Sequence, residues 1–474
     1  MKGLWSWLTR EREFPGPLRY IDIFKLRRPL TIKRIAIFVC AVVILHTVLN
    51  IWAYLVLQRE LKKTQAAGIE LDMQKYNQPR VEYGENAAPL YRAAFELLHS
   101  LKTEQSDLPY NIRDEWPDAG PPGAELMDRM TGYVDSERLA MVFGLLQQAN
   151  RMPECNWGLR YEETFEMDLR HLSGVRRAAL ALLTRARLCY VTGDPGGAVT
   201  DVQAVVRLAE RIESDRIFIS ELVQCAVSNF CCHAVRQMTT TKPMAAETAL
   251  QLCDSLVQLG SLVNATEALR METASAYSLS ERLRGSPDLV KEWNLPPSEY
   301  WFLRYFVTYP FRPLYRLDQV HILRYERELV ELAQGPYYTV RDRLNAWDAE
   351  IESRSRIFML TRLLVPVLSR MHFVVAKAHA EVHTTRLGLA LEACRDRTGS
   401  YPDSIEALVP GILPELPVDP FSGKNFLYRL TDKEVLIYSV GKNGVDDSGL
   451  KEEVGHRGVL LYPGADDIAW RIPR

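Results

Sequence analysis

The sequence predicts a mainly α-helical protein with a single N-terminal transmembrane helix and a small C-terminal α+β module containing an antiparallel sheet. Three observations support this fold class. Residues 35–57 contain no Asp, Glu, Lys or Arg. Residues 124–383 repeat apolar side chains at helical spacing, interrupted by Gly and Pro. Residues 384–474 combine one helical run with turn-forming clusters and short strand-like segments.

Composition and charge exclude several classes of protein. The chain has 474 residues, of which 47% are hydrophobic and 25% are charged, so we expect a folded protein of two or three units. Its formal net charge is −2. Residues 1–34 hold nine Lys or Arg and three acidic residues, a charge of +6, which leaves −8 for the remainder. The main body therefore lacks the basic excess of a nucleic-acid-binding protein, and we expect no nucleic-acid partner.

The charge-free run begins at Ile35 and ends at Leu57. About 20 apolar residues cross the hydrocarbon core of a bilayer, so this run predicts a membrane anchor. The basic segment 1–34 predicts a cytoplasmic N-terminus and an extracytoplasmic remainder. A cleaved signal peptide is disfavoured, because the Leu-Val-Leu-Gln sequence at 55–58 lacks the small residues of a cleavage site. We therefore expect a single-pass protein in contact with lipid through residues 35–57.

Residues 58–123 are expected to form a stalk, a helix and a loop. The segment 59–85 is polar and contains Gly, Gln and Asn, as a stalk leaving a membrane would. Asn86 is a candidate N-cap for a helix that runs to about Leu101. The stretch 106–123 contains four prolines and is predicted to be a loop.

Two helical hairpins dominate the predicted helical domain, residues 124–383. Gly or Pro breaks at 192–197 and 239–243 separate the members of each hairpin. The predicted helices are 175–190, 198–212, 217–238 and 245–259. The order Tyr190, Gly193, Asp194, Ala198 resembles the inter-helix turn of tetratricopeptide hairpins. The two breaks lie 46 residues apart and no third copy follows, so we expect an irregular, repeat-like domain rather than a regular solenoid.

A second apolar stretch, residues 356–377, is predicted to be a buried helix. Arg362, Arg370 and Pro366 argue against a second span, because an arginine near the bilayer centre costs at least ~2.5 kcal/mol. We expect this helix to continue into the long helix that leads to the C-terminal module.

The segment 293–338 combines twelve aromatic residues with five arginines. Aromatic faces beside guanidinium groups can bind a polymer, a glycan or single-stranded nucleic acid. The alternative is that the rings pack between helices, with arginine stems at the edges. The second interpretation is favoured, because buried aromatic residues are the general rule in protein cores.

Few residue patterns point to chemistry. The sequence contains no GxxxxGK[ST], GxGxxG, HExxH or GxSxG motif, which favours a protein without catalytic activity. His372, His379 and His383 share one helical stripe and are a candidate metal site, although solvated or hydrogen-bonded histidines are far more common. The tripeptide 231–233 (Cys-Cys-His) is weaker, because adjacent side chains on a helix diverge. The eight cysteines show no disulfide or zinc spacing.

The C-terminal module, residues 384–474, has a clear order of elements. A helix ends at Gly399, a short helix follows at 405–409, and a turn at 419–423 leads to strands 426–430 and 434–440. Two acidic pairs follow. They are Asp446 with Asp447, after a Gly- and Asn-rich turn, and Asp466 with Asp467. Carboxylates on such a turn suit Ca²⁺, but Asp also forms turns without any ion.

This order of elements resembles the globular end of the major pseudopilins of type II secretion, in which a Gly-x-Tyr-Pro corner ends the helix. The matching residues here are Gly399, Tyr401 and Pro402, followed by the Asp-Pro turn at 419–423. The resemblance implies a calcium ion at Asp446, Asp447, Asp466 and Asp467. No other cofactor is expected. The resemblance also implies a link to secretion or envelope assembly.

The sequence departs from that family in two ways. Its transmembrane segment lies some 330 residues before the module, and residues 450–463 separate the acidic pairs. The whole layout resembles large membrane-anchored envelope proteins of planctomycete-type bacteria. We therefore expect a structural or interaction protein of the bacterial inner membrane that binds other envelope proteins. The alternative is an exported enzyme or binding protein that acts on envelope or extracellular polymer through residues 293–338.

Overall fold

The computed structural model describes residues 29–473 except positions 83, 102, 118, 287, 290, 292–296, 354–357 and 455–459. Most of the basic segment 1–34 and the start of the aromatic segment therefore lie outside the described residues. The described part is mainly helical and carries a small antiparallel sheet near its C-terminal end. This agrees with the predicted fold class at the level of helix, sheet and an apolar N-terminal helix.

The helices, numbered in chain order, are α1 (Pro29–Ala66), α2 (Ala88–His99), α3 (Thr103–Glu115), α4 (Ala124–Val134), α5 (Glu137–Arg151), α6 (Arg170–Thr192), α7 (Pro195–Glu213), α8 (Phe218–Thr241), α9 (Ala246–Leu262), α10 (Ala265–Gly285), α11 (Pro297–Phe306), α12 (Arg312–Leu332), α13 (Tyr337–Ser353) and α14 (Met359–Thr398). The strands are β1 (Leu427–Leu430), β2 (Glu434–Ser439), β3 (Lys451–Val454), β4 (Leu460–Asp466) and β5 (Ile468–Pro473).

Helix α1 is long and apolar enough to cross a membrane. Its large apolar side chains from Ile32 to Leu55 are mostly exposed, whereas Ala53 and Leu57 are buried. Helix α8 also meets the length and apolarity of a span, but 61% of its apolar window is buried inside the protein. Helix α8 is therefore a core helix, whereas α1 is a candidate membrane span.

The four helices predicted between residues 175 and 259 correspond to α6, α7, α8 and α9. Gly193 ends α6 with φ of 97°, the left-handed region that glycine adopts without steric cost. Asp194 then caps α7 by accepting a hydrogen bond from the Gly197 N–H at 2.8 Å. Helices α6 and α7 bury their apolar stripes in one core that includes residues of α2 to α10 and of α14. The breaks that the sequence places between these helices are confirmed.

Helix α14 connects the helical domain to the C-terminal module. It runs unbroken for 40 residues and includes the stretch from 359 to 377 that the sequence assigns to a buried helix. It ends at Gly399 with φ of 86°, as the sequence predicts. The sheet has the strand order β1-β2-β5, antiparallel throughout, with Val435 opposite Ile472. Trp470 and Ile472 of β5 pack with Leu387 and Leu391 of α14.

The structure corrects two predictions for residues 58–123. Residues 59–66 continue α1, and Glu60 and Thr64 are buried, so this part belongs to the folded body rather than to a stalk. Residues 106–115 lie in α3 and not in a loop. Leu108 and Ile112 are buried one turn apart in the main core, and this burial outweighs the hydrogen bond that Pro109 removes.

The C-terminal module has more strands than predicted. Strands β1 and β2 correspond to the two expected strands, and the short helix is a 3₁₀ turn at Ile405–Leu408. Strands β3 and β4 form an additional antiparallel hairpin between the two acidic pairs. Strand β5 was not expected either, although its alternation of buried and exposed residues fits a half-buried strand.

Candidate functional site

A cleft of about 730 Å³ lies between the helical domain and the C-terminal module. This volume is within the range of ligand-binding pockets, roughly 300–1,000 Å³. Its walls come from α3, α6, α8 and α14 and from the module at Lys442, Lys451 and residues 466–469. We call it the interdomain cleft.

Helical spacing places its side chains in rows. Asn229, His233 and Arg236 follow one another at intervals of four and three residues on α8, and all line the cleft. Phe373, Lys377 and Glu381 of α14 recur every four residues and form the facing row.

The cleft lining has an excess of positive charge. Its basic residues are Arg176, Arg187, Arg236, Lys377, Lys442 and Lys451, and its acidic residues are Asp114, Glu381, Asp466 and Asp467. Six basic against four acidic side chains give a charge of +2. Within the described residues, Arg236 forms an ion pair with Glu381, while Arg176, Lys377 and Lys442 form no ion pair. These three exposed cations can therefore meet a negatively charged ligand.

Arg236 links the elements that line the cleft. Its Nη2 lies 2.8 Å from Glu381 Oε2 and its Nε donates to Thr385 Oγ1 at 2.9 Å, both on α14. Its guanidinium carbon lies 5.6 Å from the ring centroid of Trp470 on β5. One side chain on α8 thus contacts both the long helix and the sheet.

Asp467 is the most strongly perturbed acid of the cleft. The residue is 1% exposed, and its Oδ2 accepts a hydrogen bond from the Gly449 N–H at 2.8 Å. Its Oδ1 is buried and has no hydrogen-bond partner among the described residues. Burial, with a smaller contribution from the negative charges of Asp447 and Asp446, raises the pKa of Asp467 to about 6. Burial also raises the pKa of Asp466.

The structure returns the second acidic pair to the first, since the Asp466 N–H donates to Asp447 Oδ2 at 3.3 Å. Asp446 accepts hydrogen bonds from the Tyr438 hydroxyl and the Ser448 N–H, both at 2.9 Å. Asp447 and Asp466 converge on Asn443, whose side chain donates to Asp447 at 2.8 Å and whose N–H donates to Asp466 at 3.0 Å.

These carboxylates therefore already serve as acceptors for the turn itself. Among the described residues, no group of three or more His, Cys, Asp or Glu side chains is arranged to hold a metal ion. Calcium binding by these aspartates stays a prediction. Comparing the melting temperature with and without millimolar Ca²⁺ would test it.

The candidate histidine and cysteine sites are buried. Burial lowers the pKa of His372 to about 4 and that of His383 to about 3, so both are neutral at pH 7. The His379 ring nitrogen Nε2 lies 3.0 Å from the Val263 carbonyl oxygen. Burial raises the pKa of Cys232 to about 12, which makes this cleft residue a poor nucleophile. Nothing in this arrangement brings the three histidines together around an ion in the described part of the chain.

The aromatic segment divides into two sets. Phe306 and Tyr315 are buried in a core with Leu279 and Leu283 of α10. Trp301, Tyr305, Tyr309 and Phe311 are exposed. The interdomain cleft contains none of these residues.

Comparison of the chain with models of protein families, with curated proteins and with solved structures finds no match in any of the three.

Proposed function

We propose that the protein is a membrane-anchored interaction protein without catalytic activity, and that its interdomain cleft binds an acidic segment of another envelope protein. The observation that supports this proposal is the set of cations Arg176, Lys377 and Lys442, which line the cleft without ion-pair partners in the described structure. Charge complementarity of this kind guides association and selects partners.

The location follows from the anchor. We propose that α1 crosses the bacterial inner membrane with its N-terminus in the cytoplasm, since nine basic residues precede or begin it. The cleft would then face the extracytoplasmic side. The repeat-like hairpins and the pseudopilin-like order of elements in the module support a role in protein binding, with a link to secretion or envelope assembly as part of the proposal.

The alternative function, an exported enzyme or polymer-binding protein acting through residues 293–338, has less support. It would need a cleft in which the aromatic residues and paired carboxylates face the same ligand. The acidic residues of the interdomain cleft and the exposed rings of the aromatic segment belong to different surfaces.

Charge reversal in the cleft tests the proposed function. The double variant Lys377→Glu/Lys442→Glu is expected to weaken binding of a hexaglutamate peptide at least tenfold, about 1.4 kcal/mol, because attraction becomes repulsion. Binding to the full chain in detergent would be measured by titration calorimetry at two salt concentrations.

Lys75→Glu is the matched control, since Lys75 is an exposed lysine that pairs with Glu70 outside the cleft. It should leave the peptide affinity unchanged. An equal loss of peptide affinity in the double variant and in the control would contradict the proposal that the cleft binds the peptide. So would an unchanged affinity in the double variant. Inorganic phosphate as a second probe distinguishes a site for small anions from one for an acidic chain.

Peptide affinity is also expected to depend on pH through Asp467. Because its pKa is about 6, this side chain is mostly neutral at pH 5.5 and mostly charged at pH 7.5, so the cleft gains positive charge as pH falls. Hexaglutamate should therefore bind several-fold more tightly at pH 5.5. The Asp467→Asn variant should bind tightly at both pH values, and it separates this effect from protonation of His233, which also lines the cleft. An unchanged pH dependence in this variant would rule out Asp467 as the cause.

A further inference from the structure

Five large apolar side chains form an exposed surface at the end of α11 and the beginning of α12, which we call the aromatic tip. Its members, with their exposed fractions, are Trp301 (50%), Tyr305 (58%), Tyr309 (58%), Phe311 (45%) and Leu314 (36%). Neighbouring Phe306 and Tyr315 are buried and hold the tip on the helical core. Clusters of exposed aromatic residues mark interaction sites rather than chance exposure.

The aromatic tip lies against the membrane helix. His46 Nε2 is 3.2 Å from the Pro310 carbonyl oxygen, and the His46 and Tyr309 rings are 5.0 Å apart. Arg316 donates to the Asn50 carbonyl oxygen at 2.9 Å and lies 5.0 Å from the Tyr54 ring centroid.

The three contacted residues of α1 define where the tip lies along this helix. His46, Asn50 and Tyr54 recur every four residues and so form one face of the helix, within the span that ends at Leu57. Ala53 and Leu57, further along α1, are buried in the body, so the tip lies where α1 leaves the body. The other faces of α1 expose Val43, Leu45 and their neighbours, which would contact lipid. A segment that packs on this face of α1 would therefore also reach the lipid.

The chemistry of the tip suits the outer leaflet. Tyr and Trp are enriched where a bilayer meets water. Arg312 lies 5.3 Å from the Tyr309 ring centroid and Arg304 lies 5.8 Å from that of Trp301. Guanidinium groups at this level can contact lipid phosphates while the rings enter the acyl region.

The backbone of the tip is also compatible with lipid, where an unpaired polar group is costly. The Thr308 N–H donates to the Tyr305 carbonyl at 3.0 Å, and the Phe311 N–H donates to the Thr308 carbonyl at 3.1 Å. The Pro310 carbonyl faces His46 of α1. Hydrogen bonds within α11 and α12 satisfy most of the other backbone N–H and C=O groups of the tip.

We propose that the aromatic tip inserts into the outer leaflet beside α1 and forms a second membrane contact. This inference rests on the proposed membrane anchoring by α1. Because α1 and the tip would touch the same bilayer, the body could not rotate freely about its anchor. The interdomain cleft would consequently keep a fixed orientation relative to the membrane surface.

Photo-crosslinking to lipid tests this inference on the full chain in native membranes. The photoreactive residue p-benzoylphenylalanine would replace Tyr309, or Phe311 as a second probe of the tip. Val43 serves as the span probe and Met141, an exposed residue of α5, as the control on the helical domain. Crosslinked phospholipid would be detected by mass spectrometry. We expect adducts at the span and tip probes, with a yield several-fold above that at Met141.

The outcomes separate the two proposals. Lipid adducts at Val43 combined with background yield at both Tyr309 and Phe311 would overturn the tip insertion and leave the anchor intact. Background yield at Val43 as well would overturn membrane anchoring and, with it, the insertion of the tip. Adducts at Met141 equal to those at the tip would also overturn the inference, because the contact would then be unspecific.

Discussion

Replacing Glu60 with alanine is expected to destabilise the full chain by about 3 kcal/mol, because it leaves two arginines without their buried partner. Glu60 is 1% exposed and lies at the end of α1 that enters the body. Its carboxylate oxygens lie 3.1 Å from Arg324 Nε and 2.5 Å from Arg327 Nη1, both on α12. These two ion pairs thus join α1 to the helical domain, and denaturant unfolding in detergent would measure their loss.

The exposed pair of Glu70 and Lys75 provides the control. Lys75 Nζ lies 2.8 Å from Glu70 Oε2, a distance similar to those between Glu60 and its two arginines, but both side chains are solvent-accessible. Glu70→Ala should therefore cost less than ~1 kcal/mol. A Glu60→Ala variant as stable as Glu70→Ala would show that α1 does not dock on α12 as described.

Truncation of Trp470 is expected to cost about 3–5 kcal/mol, as is usual when a large core aromatic becomes alanine. Trp470 is 5% exposed and packs in the core of the module. It fills the space over Gly388 of α14, where an added Cβ would lie 1.8 Å from the Trp470 ring atom Cζ3. Glycine at 388 therefore allows the sheet to approach the long helix.

A double-mutant cycle tests this contact directly. Gly388→Val alone should destabilise the chain by about 1–3 kcal/mol, because the valine displaces the tryptophan ring. In a Trp470→Ala background the valine occupies the vacated space and should cost much less, so the two changes are expected to be strongly non-additive. Additive losses would indicate that the sheet does not pack on α14 at this position. Gly132→Val, with nothing near its Cβ position, controls for the loss of glycine in a helix.

The sequence was most informative where local chemistry determines structure. Gly399 and the Gly- and Pro-containing break at 192–197 correctly marked helix ends, because these residue types favour cap and turn conformations. Helix α3 was missed because Pro109 suggested a loop, while its stability comes from burial of Leu108 and Ile112 by distant helices. The continuation of α1 into the body was missed for the same reason, since the partners of Glu60 lie more than 260 residues away.

The interdomain cleft could not be predicted from sequence. Arg176, Arg236, Lys377 and Lys442 lie in four separate segments, and only the packing of α6, α8 and α14 against the module brings them together. The acidic pairs gave a clearer signal, and the antiparallel pairing of β3 with β4 brings Asp466 back to Asp447, but local hydrogen bonds already occupy several of their oxygens. The aromatic segment was noticed from composition, but its position beside α1 depends on the contacts of His46 and Asn50.

The proposed function requires that the body of the protein lie outside the cytoplasm. A topology reporter that is active only in the cytoplasm, fused after position 474 of the full chain, tests this directly. A second fusion before position 1 serves as the control for expression. We expect an active reporter at the N-terminus and a silent one at the C-terminus. Activity at the C-terminus would contradict the extracytoplasmic placement of the cleft and of the aromatic tip.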